Sequence, residues 1–185
     1  MRLVSTAIAD IKGDNNDDII ILDSQRAHLK IFLNVASGQL AEEKNFQLVC
    51  TAADISTSDM NNDQKVDVIT TKYWTHAITI LYNTGDETFY HRVISTKLYG
   101  ANVRAISDIN NDKTLDVIMT NYSPGEIGVY FNIGNGTFTN ETIFPKRFLP
   151  MKTKSMDIHG DGQMKIIAIG ENGRDSVIAM LLFYC

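Results

Sequence analysis

Asp59, Asn61, Asp63 and Asp67 carry side-chain oxygens at positions 1, 3, 5 and 9 of one nine-residue segment, and Asp108, Asn110, Asp112 and Asp116 repeat the set. A tight turn folds alternating side chains inward, so these oxygens converge on one point. Calcium takes six to eight oxygens at about 2.3–2.6 Å and accepts irregular geometry. Without a cation, carboxylates this close repel one another. The spacing therefore predicts Ca2+ binding, with the backbone carbonyl at position 7 (Lys65 or Thr114) as a further ligand.

Two related segments depart from this pattern. The first keeps Asp10, Asp14 and Asp18, with Asn16 at position 7, but has Lys12 at position 3. It is expected to bind metal less well. The last has Asp157 and Asp161, with His159 at position 3 and Lys165 at position 9. Here the Lys165 ammonium is expected to replace the ion and to neutralise Asp157 and Asp161.

An EF-hand shares positions 1, 3 and 5, but it needs a bidentate glutamate at position 12 and a helix on each side. Position 12 is Ile21, Thr70, Met119 and Ala168, each inside an apolar run of strand character. The EF-hand is excluded.

The elements that must hold these loops follow from their spacing. The first aspartates stand at residues 10, 59, 108 and 157, so every step is 49 residues. A second marker keeps that step: Asn34 to Leu40, Asn83 to Phe89 and Asn132 to Phe138. Equal steps in two independent markers identify a repeat. In the third period, strands are predicted over 103–107, 117–121, 127–132 and 138–144, with turns between them and no helical periodicity. Four antiparallel strands per period make a propeller blade. The fold class expected is all-β, a β-propeller of four-stranded blades with repeats at 1–50, 51–99, 100–148 and an incomplete 149–185. A piece of a longer, seven-bladed propeller is the expected context. An open array or small ring with exposed strand edges, prone to self-association, is the alternative.

Bulk properties exclude several functions. The net charge of −5 and pI near 5.3 argue against nucleic acid or an anionic membrane as partner. No apolar run is long enough to cross a bilayer as a helix, and the N-terminus lacks the apolar stretch of a signal peptide. Cys50 and Cys185 follow no period and read as two free thiols. No G-x-S-x-G, H-E-x-x-H, Walker loop or Cys/His zinc spacing occurs, and the four histidines share no phase. The expected role is binding, not catalysis.

The D-x-N-x-D-x-x-x-D loop after a short strand, with the N-x-G-x-G-x-F turn of Asn132–Phe138, resembles the FG-GAP or VCBS repeat. That family includes the calcium-loop blades of the integrin alpha propeller, and the resemblance covers nearly the whole chain. It implies protein recognition or cell adhesion, usually extracellular or at the cell surface. The family usually has glycine at loop position 6, where this chain has Asn15, Gln64 and Lys113, and only Gly162 conforms. Weaker calcium affinity than in typical members is implied.

In a blade array, loops opposite the calcium loops are the other surface for a partner. Tyr73, Trp74 and Tyr122 fall there and are the candidate ligand-binding residues, alongside His76, Tyr99, Lys146 and Arg147. Packing of Tyr73 and Trp74 against a neighbouring blade is an equal reading. Stacking of Trp74 on a sugar would make the chain a carbohydrate-binding accessory module, the alternative to a protein-binding one. The sequons at Asn121, Asn135 and Asn140 permit secretion without arguing for it.

Overall fold

The protein is described by a computed structural model that covers residues 3–35, 39–48, 51–71, 77–98, 102–121, 125–139, 141–144, 148–173 and 175–181. Tyr73, Trp74, His76, Tyr99, Tyr122, Lys146 and Arg147, and both cysteines, lie outside the described residues. Among the described residues the chain is all strand, with no helix.

Four antiparallel sheets follow one another along the sequence. The first is β1 (Leu3–Ala9), β2 (Asp18–Asp23), β3 (His28–Asn34) and β4 (Leu40–Gln47). The second is β5 (Asp54–Ser58), β6 (Asp67–Thr71), β7 (Ala77–Asn83) and β8 (Phe89–Ser95). The third is β9 (Asn102–Ser107), β10 (Asp116–Asn121), β11 (Glu126–Tyr130) and β12 (Thr142–Phe144). The fourth has β13 (Leu149–Met156), β14 (Lys165–Asn172) and β15 (Asp175–Leu181). Strands lie side by side in chain order within each sheet. The loop between first and second strands and the turn between third and fourth therefore emerge at the same end of a sheet.

Sequence pattern explains which strands are central. β10 reads DVIMTN and is buried throughout, the continuous run of a strand covered on both faces. β3 alternates, with Leu29, Ile31 and Leu33 buried and the residues between them partly exposed. The last strands of the full sheets are the more exposed ones, β8 most clearly, where Tyr90 and Val93 stand in solvent.

The sheets fall into two compact units, β1–β8 and β9–β15. In the first, the front face of sheet one presents Ile20, Leu22, Leu29, Ile31 and Leu33 to Ile55, Val68 and Leu81 on the back of sheet two. Phe46 and Phe89 meet edge to face across the same seam, with centroids 4.9 Å apart. In the second, Ile118, Ile127 and Val129 on the front of sheet three pack on Ile166 and Ala168 on the back of sheet four. Each seam therefore joins a front face to the next sheet's back face.

One expected strand is shorter than the sequence suggests. The run 138–144 is interrupted: Phe138 makes a single bridge to Asn132, and the ladder resumes where Val129 pairs with Thr142. Four steps from 138 to 142 oppose three from 129 to 132, so the outer strand carries an extra residue. This is a bulge, which bends the strand out of the ladder. Thr139 N–H donates to the carbonyl of Phe131 at 2.8 Å within it. Asn121, the asparagine of the first sequon, is buried in β10, where no glycan can be accommodated.

Asn83 closes β7 and ties the two sheets of the first unit together. Its side-chain amide donates to the carbonyls of Ile11 in the first loop (2.7 Å) and Val66 (3.2 Å). Its Oδ1 accepts from Gly85 N–H at 2.9 Å. Asn83→Ala leaves buried carbonyls unpaired and is expected to destabilise folding by about 1–3 kcal/mol. Urea unfolding should show this as a lower midpoint with an unchanged slope; an unchanged midpoint would mean that the asparagine is incidental.

Candidate functional site

The four aspartate loops connect the first two strands of their sheets, and each begins where a strand ends. The position-1 carboxylate organises the loop. Asp59 accepts from the N–H groups of Asn61 and Asp63 through Oδ1 and of Gln64 through Oδ2, the last at 2.7 Å. Asp108 does the same for Asp112 and Lys113. Asp10 and Asp157 do so for residues 13–15 and for 160–162. The position-5 carboxylate accepts from the position-7 N–H: Asp63 from Lys65 at 3.0 Å, and Asp112 from Thr114 at 2.8 Å. Asp14 accepts from Asn16 in the same way, at 3.0 Å.

The position-9 aspartate does something the spacing alone does not reveal. Asp18, Asp67 and Asp116 are wholly buried. One carboxylate oxygen of each accepts from the N–H at loop position 2: Ile11 at 2.9 Å, Met60 at 2.8 Å and Ile109 at 2.9 Å. The other accepts from the N–H of Asn34, Asn83 or Asn132, at 2.8, 2.9 and 2.9 Å. A single carboxylate thus fastens the metal-type loop to the Asn/Gly turn at the same end of the sheet. The two sequence markers share a period because they are bonded to each other. These asparagines are the residues that motif reading missed as part of the site; their fixed distance from the loops was the available signal.

Burial of Asp67 pushes its carboxyl up to about 6, against the two amide bonds that lower it, with Asp63 and Asp59 adding repulsion. Asp116 is raised to about 6 in the same manner, by burial first and then by Asp112 and Asp108. Burial also acts on Asp112, but bonds from Thr114 and Asn110 outweigh it and hold its carboxyl below the ordinary range. Each of the second and third loops therefore holds three carboxylates close enough to repel.

Among the described residues, no three acidic, His or Cys side chains converge as a ready-made metal cluster. The carboxylates at positions 1 and 5 are turned to loop amides, and the Asn61 and Asn110 amides donate to Asp63 and Asp112 at 3.2 and 2.7 Å. A carboxylate oxygen that accepts one N–H keeps a second lone pair. Asp59, Asn61, Asp63, Asp67 and the Lys65 carbonyl form an all-oxygen donor set in the second loop. Asp108, Asn110, Asp112, Asp116 and the Thr114 carbonyl form the same set in the third. Both suit a hard divalent cation.

The first, second and fourth loops contain a cation of their own; in the second, Lys65 Nζ lies 3.8 Å from Asp63 Oδ2 and donates to the Thr84 carbonyl at 2.8 Å. Lys12 Nζ lies 3.4 Å from Asp14 Oδ2. Lys165, buried at position 9, donates from Nζ to the position-7 carbonyl of Gln163 at 3.0 Å and to Gln163 Oε1 at 3.3 Å. The same ammonium stands 3.6 Å from Asp161 Oδ1 at position 5. It faces two of the groups that a metal would use, while Asp157 is held instead by the backbone N–H groups of the loop, chiefly that of Gly162, which lower its pKa.

Sequence comparison agrees with this geometry. The profile of the FG-GAP-like repeat matches residues 59–118 and again 108–168, together more than half of the 185 residues. The chain belongs to the FG-GAP-like repeat family. No curated protein matches it by sequence. Among solved structures it is similar to BBS1N in the crystal structure of its complex with ARL6DN soaked with lead. There the TM-score is 0.60 at 15% identity, over 96% of this chain and 55% of that one. The mercury-soaked crystal of the same complex gives 0.60 at 16%, over 97% and 57%. At such identity the likeness concerns the fold, a β-propeller-like repeat array. The FG-GAP-like chain spans a little over half the length of the structures it matches.

The departure of these FG-GAP-like loops from glycine at position 6 has a measurable geometry. Asn15, Gln64 and Lys113 adopt φ of 63°, 67° and 69°, as Gly162 does at 76°. Asn62 and Asn111 at position 4 are also left-handed, at 60° and 61°, which asparagine tolerates better than other side chains. Left-handed backbone costs an ordinary residue about 1–2 kcal/mol, and glycine's extra chain entropy takes back roughly 0.5–1 kcal/mol. Gln64→Gly and Lys113→Gly should each stabilise by about 0.5–1 kcal/mol, a rise of about 2 °C in Tm, whereas Asn62→Gly should change little. A fall in Tm for both position-6 variants would mean that these side chains make contacts worth more than the strain.

Proposed function

We propose that this FG-GAP-like array is a calcium-stabilised, non-catalytic module that recognises a protein partner, acting in adhesion or recognition outside the cell or at its surface. The calcium reading is carried by one observation: in the fourth loop an ammonium stands against the carboxylate at position 5 and the carbonyl at position 7. The loop architecture thus receives a positive charge where the second and third loops place the Asp67 and Asp116 carboxylates; in the second loop Lys65 Nζ also stands 3.8 Å from Asp63 Oδ2, while it donates to the Thr84 carbonyl at 2.8 Å. In those two loops Asp59, Asp63, Asp67 and Asp108, Asp112, Asp116 would hold the ion, with Asn61 or Asn110 turned to present its oxygen. The ion would offset the burial that raises Asp67 and Asp116, together with the smaller repulsion from their neighbouring aspartates. Lys12 makes the first loop, with Asp10, Asp14, Asn16 and Asp18, the weaker site.

Protein recognition is supported by the similarly folded BBS1N, whose crystal structures hold it in complex with ARL6DN. The polar loop composition and lack of any catalytic motif support a role in holding a partner.

Thermal melts in calcium, magnesium and EGTA test the metal reading. A ligand bound only by the native state at a hundred times its Kd stabilises by about 2.7 kcal/mol. Calcium should therefore raise Tm by several degrees where magnesium does not, and Asp63→Asn with Asp112→Asn should abolish the rise. Equal Tm in all three buffers would leave the aspartates as turn formers only. Lys165→Asp restores the position-9 carboxylate in the fourth loop and should add one calcium to the number bound per chain in a titration. An unchanged number would show that the ammonium is not what keeps metal from that loop.

A further inference from the structure

We infer that the outer edge of β8, the last strand of sheet two, is the docking site for an extended segment of a partner protein, which adds to it as a further strand and carries apolar and acidic side chains in alternation. A sheet edge presents unpaired N–H and C=O groups, and proteins blunt such edges with bulges, charged side chains or very short strands. Sheets one and three do so. In β4, Glu42 stands opposite Leu33 but Leu40 opposite Asn34, so one residue bulges out, and the strand carries the charged run Glu42-Glu43-Lys44. β12 has only three residues and follows a bulge. β8 has neither device. Its seven residues pair with β7 from Phe89 to Ser95 without a register shift, and no described strand pairs with its other side. Tyr90 on one face and Val93 on the other are each 51% exposed. Seams between sheets join faces, not edges, so a further repeat at either end of the chain leaves this edge open.

The chemistry beside the edge names the occupant. A cleft of about 400 Å³, open to solvent, lies between β4 and the back of sheet two, lined by Phe46, Leu48, Leu81, Phe89 and His91 among others. His91 stands opposite Leu81 and Val93 opposite Thr79, so both share the face that borders this cleft. A strand added to β8 sets its residues opposite His91 and Val93 on that same face, and the residue between them on the other face, opposite Arg92. Apolar side chains suit the two places beside the cleft. A carboxylate suits the third, since β8 carries Arg92 and His91 and no acid. Main-chain bonds supply affinity in such a contact, and the alternate side chains supply selection. A second copy of β8 fits less well. Antiparallel pairing centred on residue 91, 92 or 93 sets the two Arg92 side chains opposite or diagonal to each other, a like-charge contact. The inference rests on the protein-recognition reading, whose surface it names, and it is independent of calcium.

Random peptides displayed on phage and selected against the whole chain test it. Val93→Glu sets an acid on the edge at an exposed site, so circular dichroism and the melt should match the wild type. Selected peptides should alternate apolar and acidic residues, and should bind Val93→Glu about tenfold more weakly than the wild type. Bound peptide should slow hydrogen exchange at the amides of 89–95. Selection against Arg92→Glu should return lysine in place of the acid, an exchange that a merely structural role for the arginine would not produce. Peptides that bind the wild type and Val93→Glu equally, or that protect amides elsewhere, overturn the edge as the surface and leave protein recognition standing. No enrichment against the wild type removes both. A wild-type chain that associates with itself in sedimentation velocity, and no longer does so as Val93→Glu, would give the edge to a second copy and likewise overturn the proposal.

Discussion

The buried carboxylate at loop position 9 is the constraint on which the rest of each full blade-like sheet depends. Asp18, Asp67 and Asp116 sit at the first residue of the second strand and accept amide hydrogens from two directions. A buried carboxylate is costly unless its oxygens are satisfied. Here the two bonds fix the path of the aspartate loop and the start of the Asn/Gly turn together. Two connections far apart in sequence become one rigid end of the sheet.

That arrangement also explains the electrostatics of the loops. In the second and third loops position 9 is the buried, raised carboxylate, while positions 1 and 5 lie outside it and bind loop amides. An added positive charge at this point is favourable whatever carries it. The chain supplies it as an ammonium in the first, second and fourth loops, from Lys12, Lys65 and Lys165, and the oxygen donors of the second and third loops are of the kind that suits a divalent ion. The fourth loop forms its turn with Gly160 and Gly162 at the left-handed positions and an ammonium in place of the aspartate. It also lacks a bonded Asn/Gly partner among the described residues, so the position-9 staple has nothing to fasten there.

The seams between sheets follow a single rule, front to back, and the side chains at those places are strongly apolar in sheets one to three. Sheet four keeps the apolar residues on its front although no described sheet covers them. Burial by the hydrophobic effect is non-directional and scales with area.

By itself the sequence determined the period, the all-strand character, the family and the oxygen-rich loops. These depend on local chemistry: turn residues, alternation of apolar side chains and spacing of carboxylates within nine residues. The strand limits near Asn132–Phe144 were less legible, because a bulge is one inserted residue and leaves no compositional mark. Only the tertiary structure decided that Asp67 and Asp116 are structural staples as well as candidate ligands, since their second partners, Asn83 and Asn132, lie 16 residues away. It also decided that Lys165 reaches the Gln163 carbonyl and Asp161 but that Asp157 is held by backbone amides.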